Sequence, residues 1–352
     1  MKWEENVRKV TPYVAGEQPK RTDVIKLNTN ECPYPPAPGV TRLAAELNCS
    51  ALRLYPDPHA TPLVNALAEY YHVTHKQVFV GVGSDDVLAT AFLTFFNSDK
   101  PILFPDVTYS FYDVWAKLYG IPYRVCPLDE DFHICTQDYK QLSGGIVFPN
   151  PNAPTGVFES LGAVEEILQA NRDVVVIVDE AYIDFGGESA LPLLEKYDNL
   201  LIVQTFSKSR AMAGLRIGFC IGSEELIGYL NDVKFSVNSY TMNLPAQMLG
   251  VEAVRDDAYF KATTAKIIAT RERVKGELKK LGFSFPDSLA NFIFASHRTI
   301  PASQLFQALR QADIYVRYWD KPRISESLRI TVGTDEEMDV LLAFLKDYVD
   351  KF

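Results

Sequence analysis

Short apolar runs alternate with helical patterns between about residue 60 and residue 222. The runs that predict strands are VFVGVG (78–83), PILFP (101–105), IPYRVCPL (121–128), GIVFPNP (145–151), VVVIVDEAY (174–182), LLIVQTFS (200–207) and RIGFCIG (216–222). Helical patterns at 85–96 and around 111–119 lie between the first of these runs. Apolar strands joined by helices predict an α/β fold with a mainly parallel central sheet covered by helices.

The pattern changes beyond residue 250. A long amphipathic stretch at roughly 251–281 precedes shorter segments, which are NFIFAS (291–296), a helix at 301–312, IYVR (314–317), SLRITVG (327–333) and a helix from Thr334. These segments predict a smaller α+β domain. A Pro-rich stretch at 32–39 can be neither a regular helix nor a central strand. We therefore expect an N-terminal arm at 1–35, a large domain at 36–250 and a small domain at 251–352.

Length and composition agree with this division and restrict the class of protein. A chain of 352 residues exceeds the ~250–300 residues of a single core. With 47% hydrophobic and 23% charged residues, the composition is that of a globular protein. The net charge of −10 argues against nucleic acid as a main partner.

Targeting and metal signals are weak. The N-terminus lacks the apolar core of a signal peptide, and no apolar run approaches the ~20 residues of a membrane helix. The five cysteines are scattered, and the histidines lack the spacing of metal ligands. The sequence thus predicts a soluble cytoplasmic protein without a disulfide, a metal or a membrane partner.

Polar groups follow several of the predicted strands. In parallel sheets, ligands bind beyond the carboxyl ends of the strands, where such groups meet. The polar segments at these ends are Gly83-Ser84-Asp85, Asn150-Pro151-Asn152, Asp179-Glu180-Ala181-Tyr182 and Ser207-Lys208.

Two charged residues at strand ends are candidates for chemistry. Asp179 ends an apolar run, where a carboxylate either meets a cation or serves as a helix N-cap. Lys208 follows another apolar run, and desolvation there favours the neutral amine that attacks a carbonyl carbon. An anion-binding or solvated lysine is the alternative interpretation.

A third candidate feature is a phosphate site. At residues 81–85 a predicted strand enters a helix through small residues, and exposed backbone N–H groups there suit a phosphate. The segment is neither GxGxxG nor a P-loop, so it indicates no dinucleotide or nucleoside triphosphate, and a simple tight turn explains it equally well. Arg216 precedes a strand and is suited to clamp a phosphate.

The motifs NPNAPTG (150–156), DEAY (179–182) and SKSRAMAGLRIGF (207–219), in this order, resemble the fold-type I aminotransferases that depend on pyridoxal 5'-phosphate (PLP). The similarity extends from LNTNECPYPP (27–36) through YPDP (55–58) to SLRITVG (327–333). These outer segments are similar to a narrower branch of compact transaminases whose amino donor carries a phosphate. The resemblance implies the fold-type I architecture, PLP as cofactor and a homodimer.

The resemblance also implies a cofactor site. Lys208 would attach to the cofactor and move the substrate proton, and Asp179 would pair with the protonated pyridine nitrogen. Tyr182 and Asn152 would hydrogen-bond the ring oxygen O3'. The remaining cofactor residues are Ser84, Asp85, Ser207 and Arg216 at the phosphate, Tyr109 against the ring, and Tyr55 reaching the phosphate of the neighbouring subunit's cofactor.

One motif departs from the pattern of the family. Many relatives read NNPTG where this chain has Asn152-Ala153-Pro154. The interval to Asp179 assigns the O3' contact to Asn152. If the contact belonged to the residue before the proline, Ala153 could not make it.

For the substrate, the resemblance implies that Arg329 grips a carboxylate and that Arg317 meets a substrate phosphate, with Arg323 as a competing candidate. Tyr13 and Asn30 would line the pocket, although Asn30 also suits a turn. Three other functions remain open, namely aromatic amino-acid transamination, threonine-phosphate decarboxylation in cobalamin synthesis, and a non-catalytic binding module of the same fold.

Overall fold

The computed structural model describes residues 2–21 and 23–351. The strands are β1 (Ile25–Lys26), β2 (Val78–Gly81), β3 (Ile102–Pro105), β4 (Tyr123–Cys126), β5 (Gly145–Pro149), β6 (Val176–Asp179), β7 (Leu200–Thr205), β8 (Gly218–Gly222), β9 (Phe283–Ser284), β10 (Phe292–His297), β11 (Ile314–Tyr315), β12 (Arg317–Tyr318) and β13 (Leu328–Thr331). The α-helices are α1 (Pro38–Ala45), α2 (Thr61–Tyr71), α3 (Ser84–Phe95), α4 (Tyr112–Tyr119), α5 (Leu161–Ala170), α6 (Glu224–Val237), α7 (Leu244–Arg255), α8 (Asp257–Lys280), α9 (Ala302–Gln311) and α10 (Asp335–Val349).

Seven strands form the larger sheet, in the order β2-β8-β7-β6-β5-β3-β4. Strands β3 to β7 pair in parallel, whereas β8 runs antiparallel to both of its neighbours. The prediction of a mainly parallel central sheet is therefore confirmed.

Helices cover both faces of this sheet because side chains alternate along each strand. In β2, Phe79 joins the apolar cluster that includes α3 and α6. Its neighbours Val78 and Val80 join the opposite cluster, which includes α2 and α7. The burial of both faces explains why these strands appear in the sequence as continuous apolar runs.

A smaller antiparallel sheet has the order β12-β13-β10-β9, and β1 pairs in parallel with β11. The prediction of IYVR as one strand is wrong. Ile314–Tyr315 pairs with β1, whereas Arg317–Tyr318 pairs with β13. The partner of the first half comes from a segment almost 300 residues away, so no local pattern indicates the change of sheet.

Helix α10 begins as predicted. Thr334 and Glu337 form a reciprocal capping box at its first turn. The helix packs through Met338 and Leu341 into the apolar core of the smaller sheet.

The predicted division into an arm and two domains stays a prediction. Its boundary between residues 250 and 251 falls inside α7, which packs on α1 and α2. Within the described residues, no helix combines the length and the apolar character needed to cross a bilayer.

Candidate cofactor and substrate site

The carboxyl ends of β5, β6 and β7 meet at one edge of the larger sheet. Asp179 is in register with Pro149 on one side and with Val203 on the other. The segments that follow these strands carry Asn152, Tyr182 and Lys208. Parallel pairing therefore brings together residues that are far apart in the chain, as the sequence predicted.

Asp179 is a buried carboxylate, only 4% exposed. The Tyr112 hydroxyl donates to its Oδ2 at 3.0 Å, and the Ala181 N–H donates to its Oδ1 at 3.2 Å. Burial outweighs these bonds and raises the pKa of Asp179 to about 6. Among the described residues none forms an ion pair with it, so the site is suited to a cation such as a protonated ring nitrogen.

Lys208 lies near this carboxylate. Its Nζ donates to the Thr29 carbonyl oxygen at 3.2 Å and is 5.7 Å from the centre of the Tyr182 ring. The Tyr182 hydroxyl accepts a hydrogen bond from Asn30 Nδ2 at 2.9 Å. Asn30 in turn accepts from the Thr331 hydroxyl, in the smaller sheet, at 3.0 Å. The amine thus lies where the two sheets meet.

The start of α3 forms a candidate phosphate cradle. Gly83 has a φ of +87°, and no side chain caps the helix after it. A Cβ on Gly218 would lie 2.2 Å from the Ser84 backbone nitrogen, so only glycine permits this approach. The uncapped N–H groups and the positive end of the helix suit an anion.

Arg216 completes the cradle. Its guanidinium donates to the Ser207 hydroxyl at 3.3 Å and pairs with Asp85 at 3.1 Å. Asp85 also accepts a hydrogen bond of 2.7 Å from the Tyr109 hydroxyl. Four residues predicted at the cofactor phosphate or ring therefore form one connected network.

Asn152 is also buried. Its Nδ2 donates to the Val107 carbonyl oxygen and to the Thr155 hydroxyl, each at 3.0 Å, whereas its Oδ1 is buried without a partner. Ala153 packs in the same apolar cluster as Tyr182. An unsatisfied buried amide oxygen is costly, and a bound ligand would supply the missing partner.

Arg317 and Arg329 face each other across β12 and β13 as register partners. Their recorded hydrogen bonds go to carbonyl oxygens, from Arg317 to Val14 at 3.4 Å and from Arg329 to Asn28 at 2.9 Å. Arg329 Nε is buried without a partner, and burial lowers the pKa of this guanidinium. The pair is therefore free to receive an anion.

Arg323 is already occupied. Its guanidinium pairs with Asp106 at 2.7 Å, donates to the Asp129 carbonyl oxygen at 2.6 Å and lies 5.3 Å from the centre of the Phe132 ring. Of the two arginines that the sequence left open for a substrate phosphate, the structure favours Arg317.

Two predicted tyrosines have different surroundings, since Tyr13 is partly buried and lies close enough to Arg329 to affect its pKa, whereas Tyr55 is exposed. Tyr13, in the N-terminal arm, stacks on Phe111 at 4.2 Å between ring centres. Tyr55 is 82% exposed and stacks on Tyr240 at 4.7 Å. Within one chain, then, Tyr55 is a surface residue.

Sequence reasoning missed Tyr112 and Trp319. Tyr112 bonds Asp179, and Trp319 lies 5.1 Å from the guanidinium carbons of both Arg317 and Arg329. The only sequence signal for Tyr112 was its position three residues after Tyr109, and in the structure a turn joins the two, with the Tyr112 N–H donating to the Tyr109 carbonyl oxygen. Nothing in the local sequence indicated the contacts of Trp319.

Comparison with known proteins gives matches over nearly the whole chain. The family model of aminotransferase class I and II matches residues 22–345. Histidinol-phosphate aminotransferase of Lactococcus lactis subsp. cremoris (strain MG1363) is 54% identical over 99% of this chain and 98% of its own length. The enzyme of that name from Clostridium botulinum (strain Okra / Type B1) is 48% identical over 99% of each chain.

Solved structures show the same fold. Histidinol-phosphate aminotransferase from Clostridium acetobutylicum has a TM-score of 0.86 at 22% identity, covering 94% of this chain and 100% of the other. The Sinorhizobium meliloti protein of that name, solved in complex with pyridoxal-5'-phosphate, has a TM-score of 0.83 at 23% identity, covering 93% and 91%.

Proposed function

The chain belongs to the class I and II aminotransferases, and we propose that it transfers the amino group of L-histidinol phosphate to 2-oxoglutarate with PLP as cofactor. The products are imidazole acetol phosphate and glutamate, which places the reaction in histidine biosynthesis. Relatives named for this activity support the proposal at 48–54% identity over nearly the whole chain. The cytoplasmic location expected from the sequence remains a prediction.

The single observation that carries the choice of substrate is the guanidinium pair Arg317 and Arg329. Histidinol phosphate has a phosphate and no α-carboxylate, whereas 2-oxoglutarate has two carboxylates. A site that alternates between them needs cations without resident acids, and both arginines bond only to carbonyl oxygens among the described residues. Guanidinium forks bind phosphate and carboxylate alike.

The residues at the sheet edge fit the cofactor. Asp179 would hold the pyridinium proton, which a buried carboxylate without an ion-pair partner is suited to do. Ser84, Ser207 and Arg216 would hold the phosphate, with the N–H groups at the start of α3. When bound, PLP supplies an aldehyde for the amine and a ring that takes up electrons as the Cα proton leaves.

The chain itself moves the proton. Among the described residues Lys208 Nζ hydrogen-bonds the Thr29 carbonyl oxygen and forms no ion pair, so the amine is available to take up and return a proton. Tyr182 lies below it, oriented by Asn30. Retention of Lys208 beside Asp179 argues against the non-catalytic binding module, because a binder needs no mobile amine at this position.

Replacing Arg317 with alanine tests the substrate. The variant is expected to lower kcat/KM for histidinol phosphate far more than kcat/KM for phenylalanine, since only histidinol phosphate carries a phosphate. A charged contact that the bound substrate shields from water contributes ~2–5 kcal/mol, which corresponds to ~30-fold or more in kcat/KM. The measurement is kcat/KM for both donors, followed through the loss of the visible cofactor absorbance.

Arg323→Ala is the matched control, because its guanidinium is paired with Asp106 and should leave the donor ratio unchanged. If the wild-type enzyme does not react with histidinol phosphate and uses phenylalanine or tyrosine as amino donor, its function is aromatic amino-acid transamination instead. Release of CO₂ from threonine phosphate would establish the decarboxylase.

We also propose that the protein is a homodimer in which Tyr55 reaches the cofactor phosphate of the partner subunit. Around Tyr55 the chain exposes large apolar side chains, namely its chain neighbours Leu52 and Leu54 and the stacked Tyr240. Apolar surface of this kind supports an interaction site.

Tyr55→Phe is expected to weaken PLP affinity by ~10-fold without changing the mass measured by light scattering, because one hydrogen bond to a charged group is lost. Mixing this variant with Lys208→Ala should produce hybrid dimers whose one complete site regains wild-type PLP affinity. Tyr229→Phe, a second exposed tyrosine, is the control. Full activity in a monomeric wild type would refute the dimer.

A further inference from the structure

The indole of Trp319 lies close to both anion-binding arginines. The Cζ atoms of Arg317 and Arg329 are each 5.1 Å from the centre of the Trp319 ring. Both distances fall within the ~6 Å at which a cation is attracted by the face of an aromatic ring. One aromatic side chain thus serves two guanidinium groups.

Strand geometry produces this arrangement. Arg317 and Arg329 are register partners in an antiparallel pair, so their side chains lie on the same face. Trp319 follows Arg317 by two residues and continues on that face, since side chains alternate along extended chain. The spacing Arg-x-Trp opposite an arginine therefore places the indole beside both cations.

The two arginines present an electrostatic problem. Arg317 adds to burial in lowering the pKa of Arg329, as expected for adjacent like charges. In the described part of the chain, their recorded partners are carbonyl oxygens and aromatic rings, with Phe292 as a second ring 5.4 Å from Arg329. A carboxylate would stabilise the pair better, but it would occupy the groups that a substrate anion needs.

Trp319 is itself held in place. It packs against an apolar cluster that joins Val107 and Leu128, next to strands of the larger sheet, to Phe294 and Ile324. Four residues further on, Arg323 pairs with Asp106 of the larger-sheet segment. The indole therefore has a fixed position at the junction of the two sheets.

We propose that Trp319 is a positioning residue that holds Arg317 and Arg329 together as an acid-free pair and thereby sets the affinity for the substrate anions. Its ring stabilises the two charges without competing for the hydrogen bonds that the anion accepts. The inference rests on the proposed function, because it explains how the substrate-anion site formed by Arg317 and Arg329 is stabilised.

The test uses the holoenzyme, in which the cofactor already fills its own phosphate site. Trp319→Leu is expected to raise the KM for histidinol phosphate and the Kd of 2-oxoglutarate by about tenfold each, with kcat within about twofold of wild type. Trp319→Phe should restore most of the affinity, because phenylalanine keeps an aromatic face. PLP affinity should stay unchanged in both variants, since Arg216 is held by Ser207, Ala213 and Asp85.

Ile324→Ala is the structural control, because it opens the same apolar cluster without removing the ring. An equal loss of anion affinity in that variant, an unchanged affinity in Trp319→Leu, or a parallel loss of PLP affinity would overturn the proposal. The Kd of 2-oxoglutarate tests the role of Trp319 independently of which amino donor the enzyme uses. If the wild type rejected histidinol phosphate, the proposed donor would fail while the role of Trp319 would still be decided.

Discussion

Lys208→Ala is expected to abolish turnover while leaving the fold intact. The variant loses both the attachment point of the cofactor and the group that moves the substrate proton. Proton transfer by a positioned base alone contributes ~10²–10⁴-fold, so the combined loss should exceed ~10⁴-fold. The fold should survive, because Lys208 is only half-buried and its recorded hydrogen bond is one of 3.2 Å to the Thr29 carbonyl oxygen.

Borohydride reduction measures attachment independently of turnover. In wild type it should fix the mass of the cofactor on the peptide that contains Lys208, whereas the Lys208→Ala variant should bind PLP and release it after denaturation. Lys26→Ala is the matched control, because Lys26 also contacts Thr29 yet pairs with Glu31. Multiple turnover by Lys208→Ala, or a reduced adduct on Lys26, would remove Lys208 from the mechanism.

The central sheet was predictable because its strands, apart from the edge strand β4, are buried on both faces. Residues 200–203 and 174–178 are apolar throughout, and the polar residues that follow each run mark the edge where ligands bind. The strand order and the reversed direction of β8 were not predictable. Pairing is decided between segments far apart in the chain, and local patterns carry no information on it.

The site was predictable to the same depth. Three charged residues stand out in the sequence because each lies beside an apolar run, where burying a charge is unfavourable unless it has a partner. They are Lys208, Asp179 and Arg216. The choice between Arg317 and Arg323 depended on Asp106, more than 200 residues away in the chain. The contacts of Trp319 likewise require the pairing of β12 with β13, which only the fold reveals.

Asp179→Asn is expected to lower kcat by several orders of magnitude while PLP still binds. A neutral amide cannot hold the pyridinium proton, so the ring becomes a poorer acceptor of electrons. Removal of one preorganised electrostatic group commonly costs ~10²–10³-fold, and the loss here should reach or exceed that range. Glu180→Gln is the matched control, because Glu180 is the adjacent buried acid and bonds to Ser189, Ala190 and Gln204, outside the candidate site.

Although Asp179→Asn should lower kcat, it is expected to make the cofactor-free protein more stable against unfolding. Burial raises the pKa of Asp179 from 3.8 to about 6, which corresponds to a penalty of ~3 kcal/mol once the carboxyl ionises in the fold. Because the folded pKa lies above the unfolded one, the penalty is absent below pH ~4, grows as the pH rises toward 6 and is constant above it.

Cofactor-free Asp179→Asn should therefore unfold at a higher temperature than the cofactor-free wild type at pH 8, and the difference should vanish near pH 4. Tyr112 can still donate its hydrogen bond to the amide oxygen, so the variant keeps that contact. Thermal unfolding at both pH values, with and without PLP, measures the effect. Near-normal kinetics together with a lower unfolding temperature at pH 8 would instead assign Asp179 to capping the turn at Ala181, because only a structural role predicts that combination.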